Sequence, residues 1–238
     1  MKALVLSSGG LDSTVCLADA VDEYGSENVI SASIFYGQAH DKELECARKI
    51  ADYYKVKHIE EDVSNVMKYA KDVCSLISGS SVEMKDKSYS DQIAEDGSPN
   101  TEVPFRNGLF LSIAASLAMS LFPNEDVAIV YGAHADDAAG NAYPDCSPEF
   151  AAAMSEAISI GSRDHLHVQR TLIHMNKSLV VARGLQLKVP FEMTWSCYHG
   201  REKACGVCGT CRDRIRAFRD NGVVDPVPYE IDNPFEDM

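Results

Sequence analysis

The sequence predicts an α/β fold: a parallel sheet with helices on both faces, plus a small cysteine-rich segment near the end of the chain. Three observations carry that expectation. Apolar runs alternate with amphipathic runs through the N-terminal part of the chain. A glycine-rich turn, "SSGGLDST" at 7–14, joins the first apolar run to the first amphipathic one. Four of the eight cysteines crowd into 197–211. Repeated strand–helix–strand units imply parallel pairing, because each crossover helix carries the chain back to start the next strand in the same direction.

The elements follow in order. "KALVL" (2–6) is nearly all apolar, as a strand covered on both faces must be. Val15, Leu17, Ala18 and Val21 then recur at about one helical turn, and Gly25 is the stop. "NVISASIFYG" (28–37) is the second strand. Leu44, Ala47, Ile50, Ala51 and Tyr54 place an apolar stripe on the next helix. "VKHIEED" is a short strand. From 75 to 101 the periodicity lapses into a polar loop, and loops of that length are often functional. A buried helix follows Asn107, then a strand over 126–133 and a second polar loop over 134–148. Ser147-Pro148-Glu149 starts another helix, and Asn176 caps "NKSLVVARGLQL".

Composition bounds the function. A chain of 238 residues can bury a full core. With 22 Lys and Arg against 36 Asp and Glu, the net charge is -14. Such a surface repels nucleic-acid backbones and anionic membranes, which leaves room only for a small, local anion site. The longest apolar stretch, at 109–122, is too short and serine-rich to span a bilayer. With no targeting segment at its start, the chain is expected to be cytoplasmic. In that compartment cysteines are thiols or metal ligands.

The glycine-rich turn can hold an anion, since its backbone N–H groups and the following helix N-terminus point at a common spot. It lacks the Gly-Lys-Ser/Thr ending of the common phosphate loop. Asp12 either holds a cation or caps the helix, and composition alone supports both. At the other end, "CYHGREKACGVCGTC" spaces Cys197, Cys205, Cys208 and Cys211 as C-x7-C-x2-C-x2-C. Four thiolates suit a closed structural zinc site, and a four-cysteine set also suits an iron–sulfur cluster. Arg201, Lys203, Arg212, Arg214 and Arg216 could offset the charge of the thiolates. His199 lies inside the segment but is left out of the ligand set, and Cys146 is read as a small buried hydrophobe.

"SGGLDS" at 8–13 is similar to the PP-loop of the N-type ATP pyrophosphatases, and it sits, as in them, on the first strand-to-helix turn. That resemblance implies an adenine nucleotide alpha hydrolase-like fold and ATP cleaved between its α and β phosphates. It implies ATP contacts along Ser7, Ser8, Gly9, Gly10, Leu11, Asp12, Ser13, Thr14, Val15, Cys16 and Leu17, with Mg²⁺. Asp12, Ser13, Arg106 and Lys177 become the catalytic candidates, the last two balancing phosphate charge in place of the absent loop lysine.

Loop and knuckle together resemble the 7-cyano-7-deazaguanine synthase (QueC) family over nearly the whole chain. "FYGQAHDKELECARKIA" (35–51), "VPFRN" (103–107), "YPDC" (143–146), "TWSCYHG" and "RDRIRAFRDNGVVDPVPY" extend the match. The resemblance implies an ATP-binding domain over 1–190 and a zinc-binding segment over 191–238, with one structural Zn²⁺ per chain. It implies conversion of 7-carboxy-7-deazaguanine to the nitrile with free ammonia and ATP, through adenylated acid and amide intermediates. Tyr36, Gln38, Arg106, Asn107, Tyr143 and Asp145 are the candidates for base or nucleotide contacts. The segments 75–101 and 134–148 are expected to close over a small molecule, with no direct nucleic-acid partner and a homodimeric assembly. A tRNA-thiolating or lysidine-type PP-loop enzyme is the alternative, and the net charge argues against its extended basic surface.

Overall fold

The computed structural model describes residues 1–231, so 232–238 of the C-terminal segment lie outside the described residues. The chain runs β1 (Lys2–Leu6), α1 (Leu11–Tyr24), β2 (Val29–Phe35), α2 (Lys42–Tyr54) and β3 (Lys57–Asp62). A long crossover holds α3 (Ser64–Met67), α4 (Tyr89–Asp96) and α5 (Arg106–Leu121). Then come β4 (Val127–Val130), α6 (Ala135–Ala138), α7 (Pro148–Gly161), β5 (Leu166–Gln169), α8 (Lys177–Gln186) and α9 (Gly209–Asp220). All five strands are parallel, in the order β3-β2-β1-β4-β5.

Strand alternation divides the core between two layers. Ala3 and Val5 of β1 face a cluster built from α1, α2, α8 and α9, whereas Leu4 faces one built from α5 and α7. The expected α/β architecture is therefore the observed one. The caps on α7 and α8 are also as expected: Ser147 accepts from the Phe150 N–H, and Asn176 from the Leu179 N–H.

Four elements depart from the expectation. The 75–101 segment is not all loop, since Ser88 caps α4. Its core residue is polar: Gln92 is 1% exposed, donates to the Lys87 carbonyl and accepts from the Asn100 N–H. A helix anchored by an amide leaves no apolar periodicity to read. The strand β5 is four residues with Leu166 and Val168 turned inward and His167 out. The helix α9 is charged along its length, yet Arg214, Ile215, Ala217 and Phe218 are buried. Ala217 and Phe218 join the main core, so the C-terminal segment shares that core as far as it is described. Conversely, the expected strand at 126–133 stops at Val130, and Tyr131–Ala133 turn off the sheet edge.

The chain crosses from one side of β1 to the other between β3 and β4. This makes the β1/β4 boundary the topological switch point, where parallel sheets of this kind hold ligands at the carboxyl ends of the strands.

Candidate active site

A cavity of about 230 Å³ opens at that switch point. The first loop forms one wall. Gly9 has φ 84°, and a Cβ there would lie 2.0 Å from the Glu43 carbonyl oxygen, so only glycine fits. Trp195 N–H bonds the Gly9 carbonyl at 2.9 Å, tying the C-terminal segment to the loop. Ser8 and Ser13 hydroxyls face each other at 3.1 Å. The loop after β4 comes close from the other side: a Cβ on Gly132 would meet the Ser13 nitrogen at 3.2 Å.

Asp12 sits in the first turn of α1 and pairs with the Lys177 Nζ at 2.6 and 2.8 Å. Lys177 opens α8, and its backbone N–H donates to Asp136 at 2.8 Å. His134 closes the group, with Nε2 3.2 Å from Nζ and 3.7 Å from Asp12. Burial pushes the Asp12 carboxyl upward, but Lys177 and then His134 overcome it and hold its pKa below the ordinary value. For Lys177, burial works against the charge, and Asp12 and Asp137 more than offset it. A lysine from 165 positions along the chain thus stands beside the loop that has none of its own.

A second charge group lies across the cavity. Arg106 opens α5 and is part-buried; Tyr36, Cys146 and Asp145 favour its charge against the cost of burial. Burial also pushes the Tyr36 hydroxyl up, to about 12, with Arg106 beside it pulling the other way. Gln38 accepts from the Tyr36 N–H at 2.9 Å. Glu43, in the first turn of α2, is lifted by burial to about 7, with Arg106 opposing. Aromatic walls complete this side. Tyr36 lies 5.9 Å from Phe110 and Tyr89 5.7 Å from Tyr143, ring centre to ring centre. The Tyr89 and Tyr198 hydroxyls meet at 2.6 Å, as do those of Thr101 and Tyr143.

Most of the residues singled out from sequence come together here. Ser7, Ser8, Gly10, Asp12, Ser13, Tyr36, Gln38, Arg106, Asn107, Tyr143 and Lys177 all line the cavity. Gly9 shapes the loop from behind. Leu11, Val15, Cys16 and Leu17 are fully buried on the core side of α1, and Thr14 bonds back to the Gly10 carbonyl; none of these five lines the cavity. Asp145 is also outside the lining: its carboxylate accepts from the Asn107 N–H at 2.8 Å and so caps α5. Cys146 does line the cavity, but burial holds its thiol well above the ordinary range, and Asn107 donates to its sulfur. Sequence reasoning did not single out Glu43, Tyr89, His134, Asp137, Tyr198 and Asp213, which also line it. Both long polar segments reach the cavity, through Tyr89 and Thr101 and through His134, Asp137 and Tyr143. Length without periodicity was the available signal for these.

The four sulfurs of Cys197, Cys205, Cys208 and Cys211 lie within 4.8 Å of one another and are buried. Backbone N–H groups of Val207 and Cys208 donate to the Cys205 sulfur, and that of Cys205 to Cys197. The donor set fits a metal ion. Of the basic residues expected around it, Arg214 is committed elsewhere, bound to Asp225 at 2.6 and 2.9 Å. Arg201 pairs with Glu230 and Arg216 with Asp213. His199 bonds Asp86 at 2.8 Å.

No helix among the described residues is long and apolar enough to cross a membrane. The family model for the queuosine biosynthesis protein QueC matches residues 2–222. The 7-cyano-7-deazaguanine synthase of Caldicellulosiruptor saccharolyticus is 41% identical over 98% of this chain and 97% of its own length. That of Hahella chejuensis is 38% identical over 96% and 93%. Among solved structures, the U34-tRNA thiolase NcsA of Methanococcus maripaludis superposes with a TM-score of 0.50 at 15% identity, covering 93% of this chain and 66% of that one. The NMN synthetase of Francisella tularensis gives 0.50 at 10% identity, covering 98% and 79%. At such identities these two share the fold alone. With a family match along 2–222 and relatives near 40% identity over almost their full length, the chain belongs to the QueC family.

Proposed function

We propose that the protein converts 7-carboxy-7-deazaguanine and ammonia to 7-cyano-7-deazaguanine with ATP, in queuosine biosynthesis. The observation that carries the reading is the Asp12–Lys177 pair on the "SGGLDS" loop, sharing one cavity with a separate, aromatic-walled charge group. The first would hold the phosphates and the second the base.

The chemistry follows from that division. A carboxylate oxygen of the substrate attacks the α-phosphorus of ATP, and pyrophosphate leaves to give an acyl adenylate. Ammonia attacks the acyl carbon, AMP departs and one proton is lost, leaving the amide. The amide oxygen attacks a second ATP in the same way. Loss of AMP and of both protons from nitrogen then forms the C≡N bond. Preorganised donors aimed at the developing phosphate charge are the main means by which a site like this lowers the barrier. Ser8, Ser13, the loop N–H groups and Lys177 supply them, and Asp12 and His134 keep the lysine in place. Mg²⁺ would sit by the Asp12 carboxylate and neutralise the departing pyrophosphate. Tyr89, Tyr143 and Tyr198 help exclude water that would hydrolyse the adenylate.

The four-cysteine site fits structural zinc. A cytoplasmic homodimer completes the reading, and light scattering measures the assembly. Incubation with 7-carboxy-7-deazaguanine, ammonium, Mg²⁺ and ATP should yield the nitrile by mass spectrometry, with the amide appearing before it. Failure to form either product, with ATP cleavage stimulated instead by tRNA, would move the protein to the RNA-modifying class.

A further inference from the structure

Two opposite charges face the cavity without meeting. Glu43 and Arg106 both line it, and both also border a smaller recess of about 50 Å³ beside it, together with Tyr36, Gln38 and Tyr198. The other carboxylates on the cavity wall are near counter-groups. Asp12 has Lys177, Asp213 has Arg216 at 2.7 Å, and Asp137 has His134 at 3.4 Å. Glu43 is part-buried, feels the field of Arg106, and has no hydrogen-bond donor and no cation within 4.0 Å among the described residues. A part-buried acid that faces a cavity and has no protein donor is open to hydrogen-bond donors from a ligand.

The substrate class of the proposed function has the matching edge. Read round a 7-carboxy-7-deazaguanine, the groups are the carboxylate, O6, N1–H and the 2-amino group: two acceptors followed by two donors. An arginine fork beside a carboxylate presents the complement, donors followed by acceptors. We propose that Glu43 and Arg106 act as one specificity element, Glu43 accepting from N1–H and the 2-amino group while Arg106 donates to O6 and the 7-carboxylate. Tyr36 and Phe110 stand beside them as aromatic surface for the ring. The assignment also accounts for turnover: the nitrile keeps its N1/2-amino edge but has lost the anion that Arg106 holds. The inference rests on the functional reading above.

The test compares 7-carboxy-7-deazaguanine with its analogue lacking the 2-amino group, on the full-length, metal-loaded protein. The wild type should lose about 10- to 150-fold in kcat/KM on the analogue, the range of one hydrogen bond to a charged group. Glu43→Gln should raise KM for the carboxylated base by a similar factor, leave KM for ATP unchanged and bring the two bases to near parity. Equal use of both bases by the wild type would overturn the assignment, and this comparison needs no variant to fold. So would a Glu43→Gln enzyme that keeps full discrimination and instead loses affinity for ATP. If the wild type converts neither base, the functional reading falls and takes the assignment with it; if it converts both equally, the assignment falls alone.

Discussion

On the proposed reading Lys177 would do at the phosphate end what a loop lysine does in the common phosphate-binding loop; it comes from the start of α8 and is held by Asp12 and His134. Lys177→Met should therefore lower kcat by about 10²- to 10³-fold, the usual cost of removing one preorganised donor, while the circular dichroism melt shifts far less. Steady-state kinetics against thermal denaturation separates the two effects. The same pair predicts an acid response. The pKa of Asp12 is below its ordinary 3.8 in the folded protein, so the pair's contribution is present above that value and is lost as pH falls through the lower, folded one. Urea unfolding between pH 5 and about pH 2 should show that slope in the wild type and a shallower one in Asp12→Asn. An identical slope in the two proteins would mean that Asp12 is not ionised by its partners. Lys177 was named from sequence, but its contact with Asp12 and the part of His134 could not be read there. The loop residues were legible because their chemistry is local, whereas Glu43 and His134 acquire theirs only when β2 and β4 bring separate loops to one crevice.

At the scale of elements, packing against the first loop is tight enough to test. Gly9→Ala would drive a methyl group into the Glu43 carbonyl on α2, and the φ of 84° adds strain of its own. It should lose ATP binding in calorimetry and several degrees of melting temperature together. The helix α9 offers a second test. Arg214 is 2% exposed and binds Asp225, Thr194 and the Phe191 carbonyl, and the Tyr229 hydroxyl donates to Asp225 as well. Arg214→Met leaves Asp225 buried with its main partner gone, which should cost about 3–5 kcal/mol in chemical denaturation. A loss under about 1 kcal/mol would show that the network is dispensable. This helix also marks the limit of periodicity as a guide. Helices α1 and α2 carry apolar stripes and were legible; α4 and α9 bury Gln92 and Arg214 through hydrogen bonds, and α9 shows only a few apolar residues in a charged run. The strand β5 was missed for a related reason, since four residues with one inward-facing pair make too short an alternation to stand out.

For the whole molecule, the four-cysteine cluster and the first loop are joined through the backbone. Cys197 follows Trp195 by two residues, and Trp195 bonds the first loop through Gly9. Metal removal should therefore lower both stability and ATP affinity, because local folding and metal binding are coupled. Elemental analysis should find about one zinc per chain, and Cys208→Ser should lose the metal and melt earlier. An apo protein with unchanged melting and full activity would contradict that coupling. The net charge of -14 disfavours long polyanions, whereas Lys177 and Arg106 place local positive charge on the cavity wall.

The central claim, that one cavity activates a carboxylate and then an amide by adenylation, is tested most directly by the nucleotide products. With 7-carboxy-7-deazaguanine and ammonium present, chromatography of labelled ATP should show AMP and pyrophosphate accumulating with two AMP for each nitrile formed. ADP and phosphate as the products of a reaction that still makes the nitrile would contradict it.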